Sequence, residues 1–346
     1  MLVPNPVLAQ VIPSSQHYSR RSGIMTVMSG HFTLLLLTVM SASAAVRIEK
    51  AAYKGWAGSY RVTNGEIEIV AVADIGPRIM HCAFVGGQNL FKEFPEQLGK
   101  SGEKEWAPRG GHRLWVAPEN VPVTYALDNG PVKVSIRGDL LELTQPVEPE
   151  TGLEKQITVK MAPAGTLVEV RHSIRNTTKF AIQLAPWVLT MMAPGGMGIT
   201  GFPPRGTHPE QLAPTNPLVV WAFTNFSDPR WKFTQKYLML RQDPNNKDPE
   251  KTGLFNENTW GAYLLGNELF VKKSKADPSR TYTDMGCSYE TFTNAEFLEL
   301  ETLGPLTSVG PGATVEHVET WSLHRGIRIS AWTDEELDRV IAPLVK

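Results

Sequence analysis

Two cysteines in 346 residues cannot build a disulfide framework, and Cys82 and Cys287 are not spaced as a metal knuckle. An excess of one charge is lacking too: 34 lysines and arginines stand against 35 aspartates and glutamates, a formal charge of -1. That balance excludes a whole-chain electrostatic footprint for nucleic acid or for an anionic membrane surface, and leaves sugars, peptides and neutral metabolites open as partners. No apolar run reaches the roughly 20 residues that cross a bilayer. Long helices are disfavoured as well, because 29 glycines and 26 prolines make up about one residue in six, more interruption than a helical bundle tolerates. Apolar character is plentiful: 42% hydrophobic against 20% charged residues excludes disorder as the main state and suffices for one large domain or two ordinary ones.

Phe32 to Met40 reads FTLLLLTVM, behind Arg20 and Arg21 and ahead of Ser41-Ala42-Ser43-Ala44-Ala45. A basic segment, an apolar run of about ten residues and a small-residue exit are the parts of a secretory signal peptide. The expectation is a leader over residues 1–45 cleaved near Ala45, a single domain over 46–346, and a periplasmic or secreted location with no membrane span in the mature chain. Without the leader, 301 residues remain, with 32 basic and 35 acidic side chains and a charge of -3. An oxidising compartment permits a bridge between Cys82 and Cys287; two buried small hydrophobes suit the same pair, and both readings stay open.

From Ile67 onward the period is two. Ile67, Ile69 and Ala71 alternate with Glu66, Glu68 and Val70, and Val132 to Arg137 and Leu153 to Val159 repeat the pattern. Ala162-Pro163-Ala164-Gly165 turns the chain into Leu167 to Ile174, a hairpin. Tyr237 to Leu240, Trp260 to Leu265, Leu269 to Lys272, Phe297 to Glu301 and Thr314 to Leu323 continue the series. One helix is expected, at the end, where Thr333 and Glu336 form a capping box ahead of Leu337, Val340, Ile341 and Leu344. Gly195 to Pro217 and Asp243 to Asn258 read as long loops that shape a site. About a dozen strands without a linker or repeat argue for one large antiparallel sandwich with a short C-terminal helix.

Four groups of motifs stand in order along this pattern: Gly76-Pro77-Arg78-Ile79 with Gly86-Gly87-Gln88-Asn89-Leu90; Gly110-Gly111-His112-Arg113-Leu114-Trp115; Phe297-Leu298-Glu299-Leu300-Glu301; and Pro311-Gly312 with Glu319-Thr320-Trp321. Together they resemble the galactose mutarotase-like superfamily, over nearly all of the chain beyond the leader, and within it the chain is most similar to a family of undetermined function. The resemblance implies a large all-β supersandwich whose concave face binds a sugar, with an aldose 1-epimerase-like isomerase as the expected activity.

Interconverting anomers needs a base for the anomeric hydroxyl and an acid for the ring oxygen. The resemblance places the carboxylate in Phe297 to Glu301. Strand geometry puts Phe297, Glu299 and Glu301 on one face, so two acids hemmed by apolar neighbours would repel and raise one pKa. Glu299 is the expected base, with Glu301 beside it, and His112 in its glycine-flanked loop is the expected acid. Arg78, Arg113, Trp115, Glu119, Trp187, Trp260 and Glu319 are the expected sugar contacts, the arginines and glutamates for hydroxyls and the indoles for the C–H face of the ring. A satisfied core histidine is the better reading of His172, on the Val168, Val170 and Ile174 face of its strand. No ligand spacing calls for a metal or a cofactor.

One departure from the superfamily pattern bears on mechanism. The epimerases carry a catalytic histidine shortly after an Asn-bearing strand end; here Arg175-Asn176-Thr177-Thr178 is followed by Ala185-Pro186-Trp187-Val188-Leu189, with Trp187 where an imidazole would stand. An indole stacks on a sugar but donates no proton as an acid does. The alternative to an enzyme is therefore a non-catalytic sugar-binding module, or an envelope scaffold, on the same fold.

Overall fold

The computed structural model describes residues 45–346. The leader expectation falls on residues 1–44, outside that range, and touches it only at Ala45. Two antiparallel sheets face each other. The first runs, from edge to edge, through Arg47–Lys50, Ser59–Thr63, Ile67–Val72, Arg78–Phe84, His112–Ala117, Ile182–Met192, Leu298–Leu303, Tyr289–Thr293, Glu250–Leu254 and Leu218–Val220, and Thr307–Val309 pairs on the far end of Ile182–Met192. The second runs through Trp231–Phe233, Tyr237–Arg241, Met197–Gly201, Asn258–Leu265, Glu268–Lys275, Thr314–Arg325, Val168–Asn176, Leu153–Met161, Leu140–Thr144 and Lys133–Arg137. The described residues belong to one compact unit, an all-β supersandwich. None of its helices is long and apolar enough to cross a membrane.

The period-two reading of the hairpin follows from burial. Along Leu153–Met161 and Val168–Asn176 every second residue is buried, because Ile157, Val159, Val170 and Ile174 point into the layer between the sheets. Where the structure differs, the strands are buried on both faces. Met197–Gly201, inside the stretch read as a loop, is buried at all five positions and so shows no alternation. Its glycines are packing residues: a Cβ at Gly201 would lie 2.8 Å from Trp260 Cζ2, and one at Gly198 would lie 3.0 Å from Leu298 Cδ2. Glu250–Leu254, inside the second expected loop, is likewise buried throughout.

The C-terminal helix forms over Asp334–Val340, with Thr333 Oγ1 accepting from the Glu336 amide at 3.4 Å, and a short turn Ala342–Val345 follows. Glu336 does not close the reciprocal half of the box; its carboxylate takes the amide and hydroxyl of Ser330. Leu337 and Ile341 pack on Met197, Ile199 and Met239, on the face of the second sheet that points away from the first.

Cys82 and Cys287 are separate buried thiols. Burial raises both pKa values.

Candidate functional site

Register decides which side chains meet. Arg78 pairs with Arg113, Arg113 with Leu189, Leu189 with Glu301, Glu301 with Glu290, and Glu290 with Gly253, so one row crosses six strands of the first sheet. Directly opposite residues share a face. Two residues further along, Trp115 pairs with Trp187 and Trp187 with Leu303; two residues back, Met191 pairs with Glu299 and Glu299 with Phe292. Arginines, glutamates and indoles therefore gather on the outer face of this sheet, away from the core.

Contacts within the cluster are specific. Arg113 donates to Glu299 Oε1 at 3.3 Å and lies over the Trp115 ring at 4.0 Å. Trp115 meets Trp187 with centroids 5.4 Å apart, and Trp106 and Tyr125 lean on Trp115 from the chain segments above it. Trp187 Nε1 donates to Glu301 Oε2 at 2.8 Å. Lys251 reaches Glu301 at 3.0 Å and Glu290 at 2.8 Å, and its ammonium sits between the rings of Trp187 and Trp221. Gly253 has no side chain in this row because Glu290 and Cys287 fill the space: a Cβ there would meet Cys287 Sγ at 2.5 Å and Glu290 Cγ at 3.0 Å.

The charges do not balance pairwise, and that sets the protonation. Burial pushes the Glu299 carboxyl up to about 7, with the Arg113 guanidinium pulling it back and the Glu301 charge adding to the rise. Burial in turn draws Arg113 down to about 10, against the pull of Glu299. Lys251 is desolvated, yet Glu290 and Glu301 outweigh this and hold its pKa above the ordinary lysine value. One ammonium faces two buried carboxylates and neutralises only one of them. Burial accordingly drives Glu290 well above the usual carboxylate range, against the pull of Lys251. Oε1 of Glu290 and Oε1 of Glu301 have no hydrogen-bond partner among the described residues.

His112 lies elsewhere. It pairs with Ile79 and Thr190, and Thr190 with Leu300, which puts its ring on the inner face of the same sheet. There its Nδ1 bonds Thr190 Oγ1 at 2.9 Å and its Nε2 bonds His172 Nε2, on the opposite sheet, at 2.7 Å. Burial, then the neighbouring His172 and Lys272, hold its pKa well below the ordinary histidine value, so the ring stays neutral. The expected base and acid thus occupy opposite faces of one sheet, because residues 112 and 113 alternate in direction and 113 is the one that faces Glu299.

Glu319 also belongs to the core. Its carboxylate accepts from Thr302 Oγ1 at 2.5 Å and Trp321 Nε1 at 2.8 Å and pairs with Lys272 at 2.7 Å. Burial would raise this carboxyl, but Lys272 and the adjacent histidines hold it below its usual range. Donor atoms of His112, His172 and Glu319 converge within 4.8 Å, the spacing of a metal site. They are already committed, the imidazoles to each other and the carboxylate to an ammonium, which makes the cluster a polar clasp between the sheets. His172 is the satisfied core histidine its strand position suggests, its Nδ1 on the His317 carbonyl at 3.0 Å.

The remaining expected contacts divide. Arg78 is fully buried on the cluster's face, but its guanidinium is spent on Asp128 and on the carbonyls of Pro108 and Gly110. Glu119 is exposed at the rim and accepts from Tyr125 at 2.6 Å. Trp260 is not with the other indoles: it stands on the outer face of the second sheet beside Tyr237, since its strand belongs to that layer. Lys251 and Glu290 complete the cluster and carry no signal in the sequence, being charged residues in short strands without alternation.

No protein-family model matches the chain, and no curated protein matches it by sequence. Solved structures do match in fold. A galactose mutarotase-like protein from Lactobacillus casei superposes with a TM-score of 0.52 at 12% identity, over 77% of this chain and 100% of that one. A candidate aldose 1-epimerase from Klebsiella pneumoniae gives 0.53 at 11% identity, over 81% and 84%. A TPR-domain containing protein from Parabacteroides distasonis gives 0.51 at 15% identity, over 79% of this chain and 48% of that one. The fold is that of the galactose mutarotase-like proteins, and a fold by itself assigns no reaction.

Proposed function

On a galactose mutarotase-like scaffold, we propose that this is an exported carbohydrate-active protein that interconverts sugar anomers, with its site on the outer face of the first sheet and Glu299 as the base. One observation carries the reading. Glu299 is a buried carboxyl raised to about 7, set 3.3 Å from Arg113 and flanked by a wall of indoles. A group that exchanges its proton near neutrality beside aromatic planes is what proton transfer to and from a bound pyranose requires.

The acid is not His112, which faces the core. Glu290, pushed by burial well above the usual carboxylate range, stands opposite Glu301, one diagonal step from Glu299, about 7–8 Å by strand geometry. Two carboxyl groups whose surroundings hold them at different protonation states can divide the acid and base roles. The signal-peptide pattern of residues 1–45 supports a periplasmic or secreted location for the site. Sugar binding without turnover is the second reading, supported by the indole at residue 187 and by the absence of an imidazole from the contacts of Glu299, Glu301 and Glu290 among the described residues.

The test is anomer interconversion of freshly dissolved α-glucose, α-galactose and a uronic acid, followed by NMR with and without protein. Acceleration that Glu299→Gln removes supports the epimerase reading. Sugar signals that broaden or shift at an unchanged rate support binding alone.

A further inference from the structure

The second sheet carries a cavity of about 1360 Å³ on its outer face, bounded by the ends of Asn258–Leu265, Glu268–Lys275 and Thr314–Arg325, by residues 201–207, and by Ala342 and Val345 of the C-terminal turn. That exceeds the roughly 300–1,000 Å³ of a pocket for one small molecule. Trp260, Tyr237 and Phe202 form an aromatic wall, and the indole of Trp260 lies against backbone that only the missing side chain of Gly201 allows it to approach. Asn258, Gln235 and Thr207 add groups that bond hydroxyls.

The wall is cationic. Arg205 stacks on Phe202 at 3.9 Å and forms no ion pair among the described residues. Lys273 donates to the backbone oxygen of Lys346 at 2.7 Å, and Lys275 to the amide oxygen of Asn258, so neither faces a carboxylate side chain. The one acid on the wall, Glu316, is neutralised by Arg171 at 2.9 Å, and Lys236 is paired with Asp338. These three cations, paired with no carboxylate side chain, come from separate elements, two from one strand and one from the 201–207 segment. Spread in this way they match several separated carboxylates better than the single compact charge of a phosphate.

We infer that this cavity is a second carbohydrate site that binds an acidic oligosaccharide, uronate residues meeting Arg205, Lys273 and Lys275 while a sugar face stacks on Trp260. It lies on the opposite sheet from Glu299 and does not rest on the anomer-interconverting reading.

The experiment is isothermal titration of the purified protein at low salt with tri-galacturonate, with a neutral galactotriose and with inorganic pyrophosphate. The expected result is binding of tri-galacturonate alone. Affinity should fall about tenfold or more in Lys273→Glu/Lys275→Glu and, independently, in Arg205→Glu, and should be unchanged in Glu299→Gln. No binding by the wild type, equal binding by the charge-reversed variants, or tighter binding of galactotriose or pyrophosphate would each overturn the inference. Loss of tri-galacturonate binding in Glu299→Gln would overturn it too, by assigning the ligand to the other face. Circular dichroism of each variant separates lost binding from lost folding.

Discussion

His112 and Arg113 are consecutive in one strand and serve opposite sides of the first sheet: Arg113 reaches outward to Glu299 at 3.3 Å, and His112 reaches inward to His172 at 2.7 Å. The outward group sets the charge around the candidate base. The inward one ties the two sheets together. Substitutions at these neighbours should therefore have unlike consequences.

His112→Ala should be a stability variant. It strands Thr190 and His172 in the core and leaves space where a ring stood, a cost of about 2–4 kcal/mol. Urea unfolding would show the loss. The pH dependence of any anomerase activity should not move, and a changed pH profile would return His112 to the chemistry.

Glu299→Gln should lower anomer interconversion by about 10²–10⁴-fold, the usual worth of a positioned acid or base. In the unmodified protein the rate should rise with pH through about 7, since the base must be ionised to act. A rate that falls across that range would assign Glu299 the acid's role.

Stability against pH gives a further check through the same residue. His172 and His317 are drawn by burial from 6.5 to about 4 and about 3, so the folded state binds fewer protons than the unfolded one below pH 6.5 and stability falls on acidification. Glu299 works the other way: raised from 4.5 to about 7, it makes the folded state bind more protons between those values, and its contribution grows as the pH falls. Glu299→Gln deletes that opposing group. The variant should lose stability more steeply than the parent between pH 7 and pH 5, as thermal unfolding across the range would reveal.

Lys272→Met leaves Glu319 buried without its counter-ion and should cost about 3–5 kcal/mol. Adding Glu319→Gln should recover a large part of this. If the double variant is no more stable than the single one, the ion pair is not what holds that clasp.

Gly253→Ala inserts a methyl group 2.5 Å from Cys287 Sγ and should cost about 1–3 kcal/mol through overpacking, with displacement of Glu290. Cys287→Ala in the same chain should relieve most of it. An innocuous single variant would mean that the strand yields, and that Glu290 is not held by this contact.

The sequence by itself determined the all-β class, the hairpin of Leu153–Met161 with Val168–Asn176, the capped C-terminal helix and the shared face of Glu299 and Glu301. Each of these is a local consequence of period or capping chemistry, readable within a few residues. It did not reveal the strands Met197–Gly201 and Glu250–Leu254, since strands buried on both faces lose the alternation that marks the others. Nor did it show who meets whom. Glu290, Lys251, Trp187 and Arg113 come from four strands far apart in the chain, and only their pairing register gathers them on one face. Register likewise sent His112 and Glu319 into the core and Trp260 to the other layer. A strand's side chains alternate by rule, but which of the two sides faces the partner sheet is settled by the summed burial of all its neighbours, a property of the assembled sandwich.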